Sequence, residues 1–233
     1  MNTVKKDLIN SKWIEKGVKI LDPMTTYIDE SVVIEENVTI YPNCFIEGSS
    51  LLKNGCMIGV NSKIVNSTIG ENTKIESSWI INSEVGNDTT IGPMSHIREH
   101  CKIGNNVRIG NFVEMKKVNF GNGSKCAHLT YLGDADVGEK CNFGCGVVTA
   151  NYDGKNKSLT KIEDNAFIGC NSNLVAPVTV KKNAFIAAGS TITKDVEEDA
   201  MGIARAKQVN KEGYSKVLEE RRMKKFEELQ KKK

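Results

Sequence analysis

No stretch of this 233-residue chain approaches the roughly 18 consecutive apolar residues that a membrane span requires. The start, MNTVKKDLINSKW, lacks a long apolar segment and a small-residue cleavage site. That argues against a secretory leader, and a cytoplasmic protein is expected. An excess of one charge is also lacking. Thirty-two Lys and Arg face 29 Asp and Glu, for a net charge of +3, too little to argue for a nucleic-acid partner. The cysteines Cys44, Cys56, Cys101, Cys126, Cys141, Cys145 and Cys170 include no C-x-x-C pair, and seven is an odd number. Free, mostly buried thiols are therefore expected rather than a disulfide framework.

What the chain does have is a beat. Ile28, Ile34, Ile40, Ile46, Leu52, Ile58 and Ile64 are each six apart. The beat slips and resumes at Ile69, Ile75 and Ile81, then again at Ile91, Ile97, Ile103, Ile109 and Met115. It returns at Ile162, Ile168, Leu174, Val180, Ile186 and Ile192. A period of six suits neither a helix nor a long strand. It suits short strands joined by turns, three to a triangular coil. Four residues after each beat comes a second, smaller inward position, held for example by Val38, Cys44, Ser50, Cys56, Thr73, Cys101, Cys141, Ala166 and Ser190. The fold class expected is an all-β solenoid with a short helix at each end. Stacked at about 4.8 Å, residues 27–196 give roughly nine coils and a prism about 43 Å tall. Gly and Asn after the beat (IGEN, VGND, IGNN) suit tight corners. The expected division is 1–20 helix and linker, 21–205 solenoid, and 206–233 a charged helical tail. The first helix should cap the first coil through Leu8, Ile9, Trp13 and Ile14. The tail should be solvated and partly docked over the last coil.

The beat is lost between about Glu114 and Lys161, and KCAHLTYLGD (125–134) falls in that gap. Departures from a regular scaffold are where function gathers. His128 lies there, and imidazole is the side chain that exchanges a proton near neutrality. Arg98, Lys116 and Lys157 could together hold a phosphate. Each of these side chains could equally be an ordinary solvated surface group. A metal is not expected: there are only three histidines, and His96 and His100 fall on different parts of the coil. No cluster completes a ligand set.

The words NFVEMKK (111–117), GSKCAHLTYLGDADVG (123–138), NYDGKNK (151–157), LVAPVTV (174–180), AAGSTITKDV (187–196) and KEGY (211–214) carry a resemblance. They resemble the C-terminal acetyltransferase domain of the bacterial bifunctional N-acetylglucosamine-1-phosphate uridyltransferase/glucosamine-1-phosphate acetyltransferase. The resemblance implies a left-handed parallel β-helix and a homotrimer with sites between prisms. It implies acetyl transfer from acetyl-CoA, a co-substrate rather than a tightly bound cofactor, to the 2-amino group of glucosamine 1-phosphate. The product would feed UDP-N-acetylglucosamine and cell-wall synthesis. By position, His128 matches the general base. Arg98, Lys116, Tyr131 and Asn142 match residues that hold the sugar phosphate, and Lys157 one that reaches it from an adjacent subunit. Cys145, Asn151, Tyr152, Cys170, Ala188 and Arg205 match acetyl-CoA contacts, although the family commonly has Ala and Ser where this chain has Cys145 and Cys170. Nothing resembles the Gly-rich nucleotide loop of the uridyltransferase domain, so that second activity is not expected. Direct transfer is expected, with Cys126 or Cys145 as acyl carrier the competing route. Another amino acceptor, or a non-catalytic trimeric subunit, remain the alternatives.

Overall fold

The computed structural model describes residues 3–231; residues 1, 2, 232 and 233, assigned above to the terminal segments, lie outside them. The chain is a parallel β-solenoid of about 10 turns with a helix at each end, and its hexad repeat fits a left-handed β-helix. Each coil lays one short strand on each of three faces. Register pairs run up the first face through Tyr27, Phe45, Lys63, Trp79, His96, Glu114, Tyr131 and Val148. The second face carries Val33, Leu51, Thr68, Glu84, Lys102, Asn119, Asp136 and Lys161. The third carries Thr39, Met57, Lys74, Thr90, Arg108, Lys125, Asn142 and Phe167. The chain visits them in that order and repeats.

The beat residues fill the prism. Ile28, Ile40, Ile46, Leu52, Ile58, Ile64, Ile69 and Ile75 are fully buried. The smaller inward positions are buried too, but they do more than fill space. Ser67 N–H donates to Ser50 Oγ (3.2 Å), Ser83 N–H to Ser67 Oγ (3.1 Å) and Cys101 N–H to Ser83 Oγ (3.1 Å). Each hydroxyl accepts an amide from the next coil that the turn would leave unpaired inside the prism.

Two features of the beat differ from the expectation. Ile80 is the core residue and Ile81 is only half-buried, because the sides from Ile75 to Ile80 and from Ile80 to Val85 each span five residues rather than six. And the beat does not stop at 125–134. Phe120, Cys126, Leu132, Val137 and Phe143 are all buried, within and after two continuous strands, Arg108–Phe120 and Lys125–Val137. Two of these positions hold phenylalanine and one a cysteine, so a search for aliphatics alone loses the frame. The real interruption is later. Loop residues 151–159 swell one coil, held by a bridge between Tyr152 and Lys157.

The corners also divide labour differently. Asparagine is the commonest residue at the left-handed corners, for example Asn72 (φ 54°) and Asn106 (φ 55°). Gly70 and Gly86, on the second–third edge, serve close approach instead. A Cβ on Gly70 would collide with the Gly86 carbonyl, and one on Gly86 with the Gly104 carbonyl. Asparagine side chains knit this edge: Asn87 N–H donates to Asn105 Oδ1 (2.7 Å) and Asn105 N–H to Asn122 Oδ1 (2.8 Å).

Helix α1, Thr3–Glu15, packs across the open end. Its inner face is Lys6, Ile9, Asn10 and Trp13, all buried, whereas Leu8 and Ile14 are exposed. The polar members satisfy carbonyls that the first coil leaves without a partner. Lys6 Nζ donates to Pro23 O (3.2 Å) and Met24 O (2.7 Å), and Asn10 Nδ2 to Pro23 O and Thr26 O (3.0 Å each). Helix α2, Tyr214–Gln230, buries none of its residues. It therefore does not cover the last coil, contrary to the partly docked tail expected. Its few apolar side chains are spread among charges and form no continuous stripe.

Candidate functional site

Most of the candidate residues fall on the two edges that flank the first face; Tyr131 lies on that face and Asn142 on the third. On the first–second edge, a charged cluster forms. Arg98 Nη1 pairs with Glu114 Oε1 at 2.7 Å, and Lys116 Nζ with Glu99 Oε1 at 3.0 Å. The Lys116 pairing is the main reason the Glu99 carboxyl drops to about 2. Tyr131 stands level with Glu114 one coil up, and Lys116 is level with Gly133. The Tyr131 hydroxyl and the Asn151 amide both lie over Gly133, a position that a Cβ would fill. Asn151 in turn donates to Asp134. Arg98, Lys116, Tyr131 and Asn151 are thus brought together. His96 lies on the adjoining strand, with its Nε2 buried and unpartnered, and burial lowers its pKa. His100 sits at a left-handed corner (φ 61°), so the two histidines do not converge. Among the described residues no group of three or more His, Cys, Asp or Glu is placed to hold a metal ion.

On the third–first edge stands His128. It is exposed, and its Nδ1 lies 3.3 Å from Oδ1 of Asn111, its register partner one coil below. Asn111 opens the NFVEMKK word, but sequence reading gave it no role; its level pairing with His128 is visible only once the coil length is known. Above His128 the same edge carries Cys145, Cys170, Ala188 and Arg205. Asn171 N–H donates to Cys145 O, and Gly189 N–H to Cys170 O (2.8 Å each). Arg205 Nη1 donates to Ala188 O (2.9 Å). Asn142 lies on the third face, level with Lys125. At the Cys145 corner, the Gly144 and Gly146 amides are already given to Ile168 O and Leu129 O (2.8 Å each), whereas no acceptor among the described residues takes the Cys145 N–H.

Cys126, two residues from His128, is not part of this surface. It is fully buried, and burial pushes its thiol up to about 12. Tyr152 and Lys157 project on the 151–159 loop, both exposed. The structure places neither of them beside His128.

Fold and repeat together define a hexapeptide-repeat protein. The family profile described as bacterial transferase hexapeptide (six repeats) matches residues 82–117 and 159–194. Within that class the chain belongs with the C-terminal hexapeptide part of bifunctional GlmU proteins. It is 56% identical over 211 residues to the bifunctional protein GlmU of Geobacillus sp. (strain WCH70) and 54% identical over 211 residues to that of Clostridium acetobutylicum. Each match covers 91% of this chain and 46% of the relative, so the chain spans about half the length of the curated relatives it matches. A crystal structure of a UDP-N-acetylglucosamine acyltransferase is similar in fold (TM-score 0.52, 20% identity, 80% of this chain and 71% of that one). No helix among the described residues is long and apolar enough to cross a membrane.

Proposed function

We propose that the chain is an acyl-CoA-dependent N-acetyltransferase that moves acetyl from acetyl-CoA to the 2-amino group of glucosamine 1-phosphate. The observation that carries this reading is the exposed His128 with its ring tied to Asn111. When the Nδ1–H donates to the Asn111 oxygen, Nε2 holds the free lone pair and faces outward as an acceptor. An amine is nucleophilic only when neutral, and a positioned base can take its proton as it attacks the thioester carbonyl. The oxyanion that follows needs a donor, and the free Cys145 N–H on the same edge supplies one. The CoA thiolate then leaves. No covalent enzyme intermediate is required, and the buried Cys126 is unsuited to carrying one. Arg98 and Lys116, held in place by Glu114 and Glu99, supply the charge for the sugar phosphate.

The working unit in this reading is a homotrimer. Met94, Phe112 and Leu129 stack on successive coils beside His128 and are each more than half exposed (61%, 58% and 59%). All three hold left-handed backbone (φ 58°, 58° and 38°), a conformation that side chains of this kind seldom adopt without a reason. An apolar ridge of this sort favours cover by another copy. A neighbour's 151–159 loop then brings Tyr152 and Lys157 to His128. Asn142, Cys170, Ala188 and Arg205 complete the binding surface, the last three along the path of acetyl-CoA.

Release of CoA thiol from acetyl-CoA, followed with a panel of amino sugars and their 1-phosphates, tests the reading. Turnover with glucosamine 1-phosphate above all others is expected. Preference for an unphosphorylated acceptor would reassign the substrate, and no turnover with any amine would leave a binding subunit. Cys126→Ala should retain turnover; its complete loss would overturn direct transfer.

A further inference from the structure

Two of the seven cysteines differ from the rest: Cys145 is half-exposed and Cys170 exposed, while the other five are buried. They are also level with each other. Asn142 pairs with Phe167 and Phe143 with Ile168 below the corner, and Val148 pairs with Asn173 beyond it. That register sets Cys145 directly under Cys170, and the Asn171 N–H to Cys145 O bond (2.8 Å) ties the two corners together. The Cys170 thiol turns down toward the lower coil. Its Sγ lies 2.8 Å from where a Cβ on Gly144 would sit, next to Cys145 in the chain. Coils stack at about 4.8 Å, inside the roughly 4.4–6.8 Å between Cα atoms that a disulfide spans.

We propose that Cys145 and Cys170 are a dithiol site that low-molecular-weight disulfides convert to an intramolecular disulfide, and that this closure switches off the acyl-CoA edge. The first half stands on register and exposure alone; the second rests on the acyl-CoA reading above. One cysteine thiolate attacks a sulfur of the small disulfide, forms a mixed disulfide and expels one thiolate. The other cysteine thiolate attacks the protein-bound sulfur and expels the second. Two electrons pass from the cysteine pair to the small disulfide. The two thiol protons end on the two small thiols released. The new bond pulls the Cys145 corner, with its free N–H, toward the coil above and removes both thiols from the surface. A dithiol reductant reverses the step.

The test uses the full chain, native and reduced, incubated with oxidised glutathione. Proteolysis under non-reducing conditions and mass spectrometry should then find the peptides of Cys145 and Cys170 joined, with two hydrogens lost and no glutathione attached. Dithiothreitol should restore both thiols. Cys145→Ser should instead trap glutathione on Cys170. Wild-type protein that keeps both thiols free, or carries glutathione on each without a cross-link, would overturn the site. Acetyl-CoA affinity, measured on the same oxidised and reduced samples, should fall at least tenfold on oxidation. A cross-linked protein with unchanged affinity would overturn the switch. Failure of the reduced protein to bind acetyl-CoA would refute the acyl-CoA reading, and with it the switch, while leaving the cross-link result decisive for the site.

Discussion

The two edges of the first face are built from the same repeat and could hardly be less alike. The first–second edge gathers Arg98, Glu99, Glu114 and Lys116 into paired charges. Around His128 the third–first edge is nearly neutral, with one imidazole, an apolar ridge, two accessible thiols and a free backbone amide, and Arg205 lies further up. The remaining edge, with its glycines and asparagine ladder, holds none of the candidates. A regular coil supplies rigidity everywhere, so each edge is free to take its own chemistry. A phosphate suits the charged edge and proton transfer beside a thioester suits the neutral one. In the reading proposed here the substrate spans the face between them.

Changes on the neutral edge should act on turnover. His128→Ala is expected to lower kcat by about 10²–10⁴ with the oligomer intact; near-normal turnover in steady-state assays would remove His128 from the base role. On the charged edge, Arg98→Ala or Lys116→Ala should chiefly raise KM for the sugar phosphate. A charge-assisted hydrogen bond of about 1.5–3 kcal/mol corresponds to roughly 10–150-fold. A fall in kcat with KM unchanged would erase the distinction between the edges. Asn111→Ala should cost about tenfold in kcat, less than loss of His128, because the imidazole stays but loses its orienting partner. An unchanged kcat would leave Asn111 without a role.

Much of the fold was legible. The spacing from Ile28 to Ile64 marks the interior, and small inward residues such as Cys44 and Ser50 are buried as expected. What was not legible has physical causes. A five-residue side shifts the frame without any residue announcing it, so Ile81 stood in for Ile80. Cys126 and Phe143 fill the prism as well as isoleucine does, yet they hide the beat. That made 125–134 look like a gap, when it is a regular strand bearing an outward histidine. Lys6 and Asn10 face inward on α1 because open carbonyls await them, which no hydrophobic pattern records. For the site, residue types pointed to His128 and the cations. The partnership of His128 with Asn111, and the stacking of Cys145 under Cys170, depend on coil lengths that differ from turn to turn.

A smaller effect sharpens the charged edge further. Glu99 falls from its ordinary value near 4.5 to about 2 because of Lys116. A carboxyl depressed by folding contributes stability above its unfolded value and loses it as pH falls through the folded one. The contribution should therefore fade between about pH 4.5 and 2, and it is modest because Glu99 is one-third exposed. In Lys116→Ala the Glu99 carboxyl, followed by NMR, should titrate nearer its ordinary value. An unmoved midpoint would mean that Lys116 does not hold it.

The central claim is that one copy's His128 works with another copy's loop. Mixing His128→Ala chains with Lys157→Ala chains, by co-expression or by unfolding and reassembly, tests it most directly. Every chain then carries one lesion, but sites that pair an intact His128 with a neighbour's intact Lys157 form in about a quarter of cases in a closed ring. The account predicts that activity returns to about that fraction of wild type in the mixture while each variant alone stays low. Activity in the mixture no higher than the average of the two variants would contradict it.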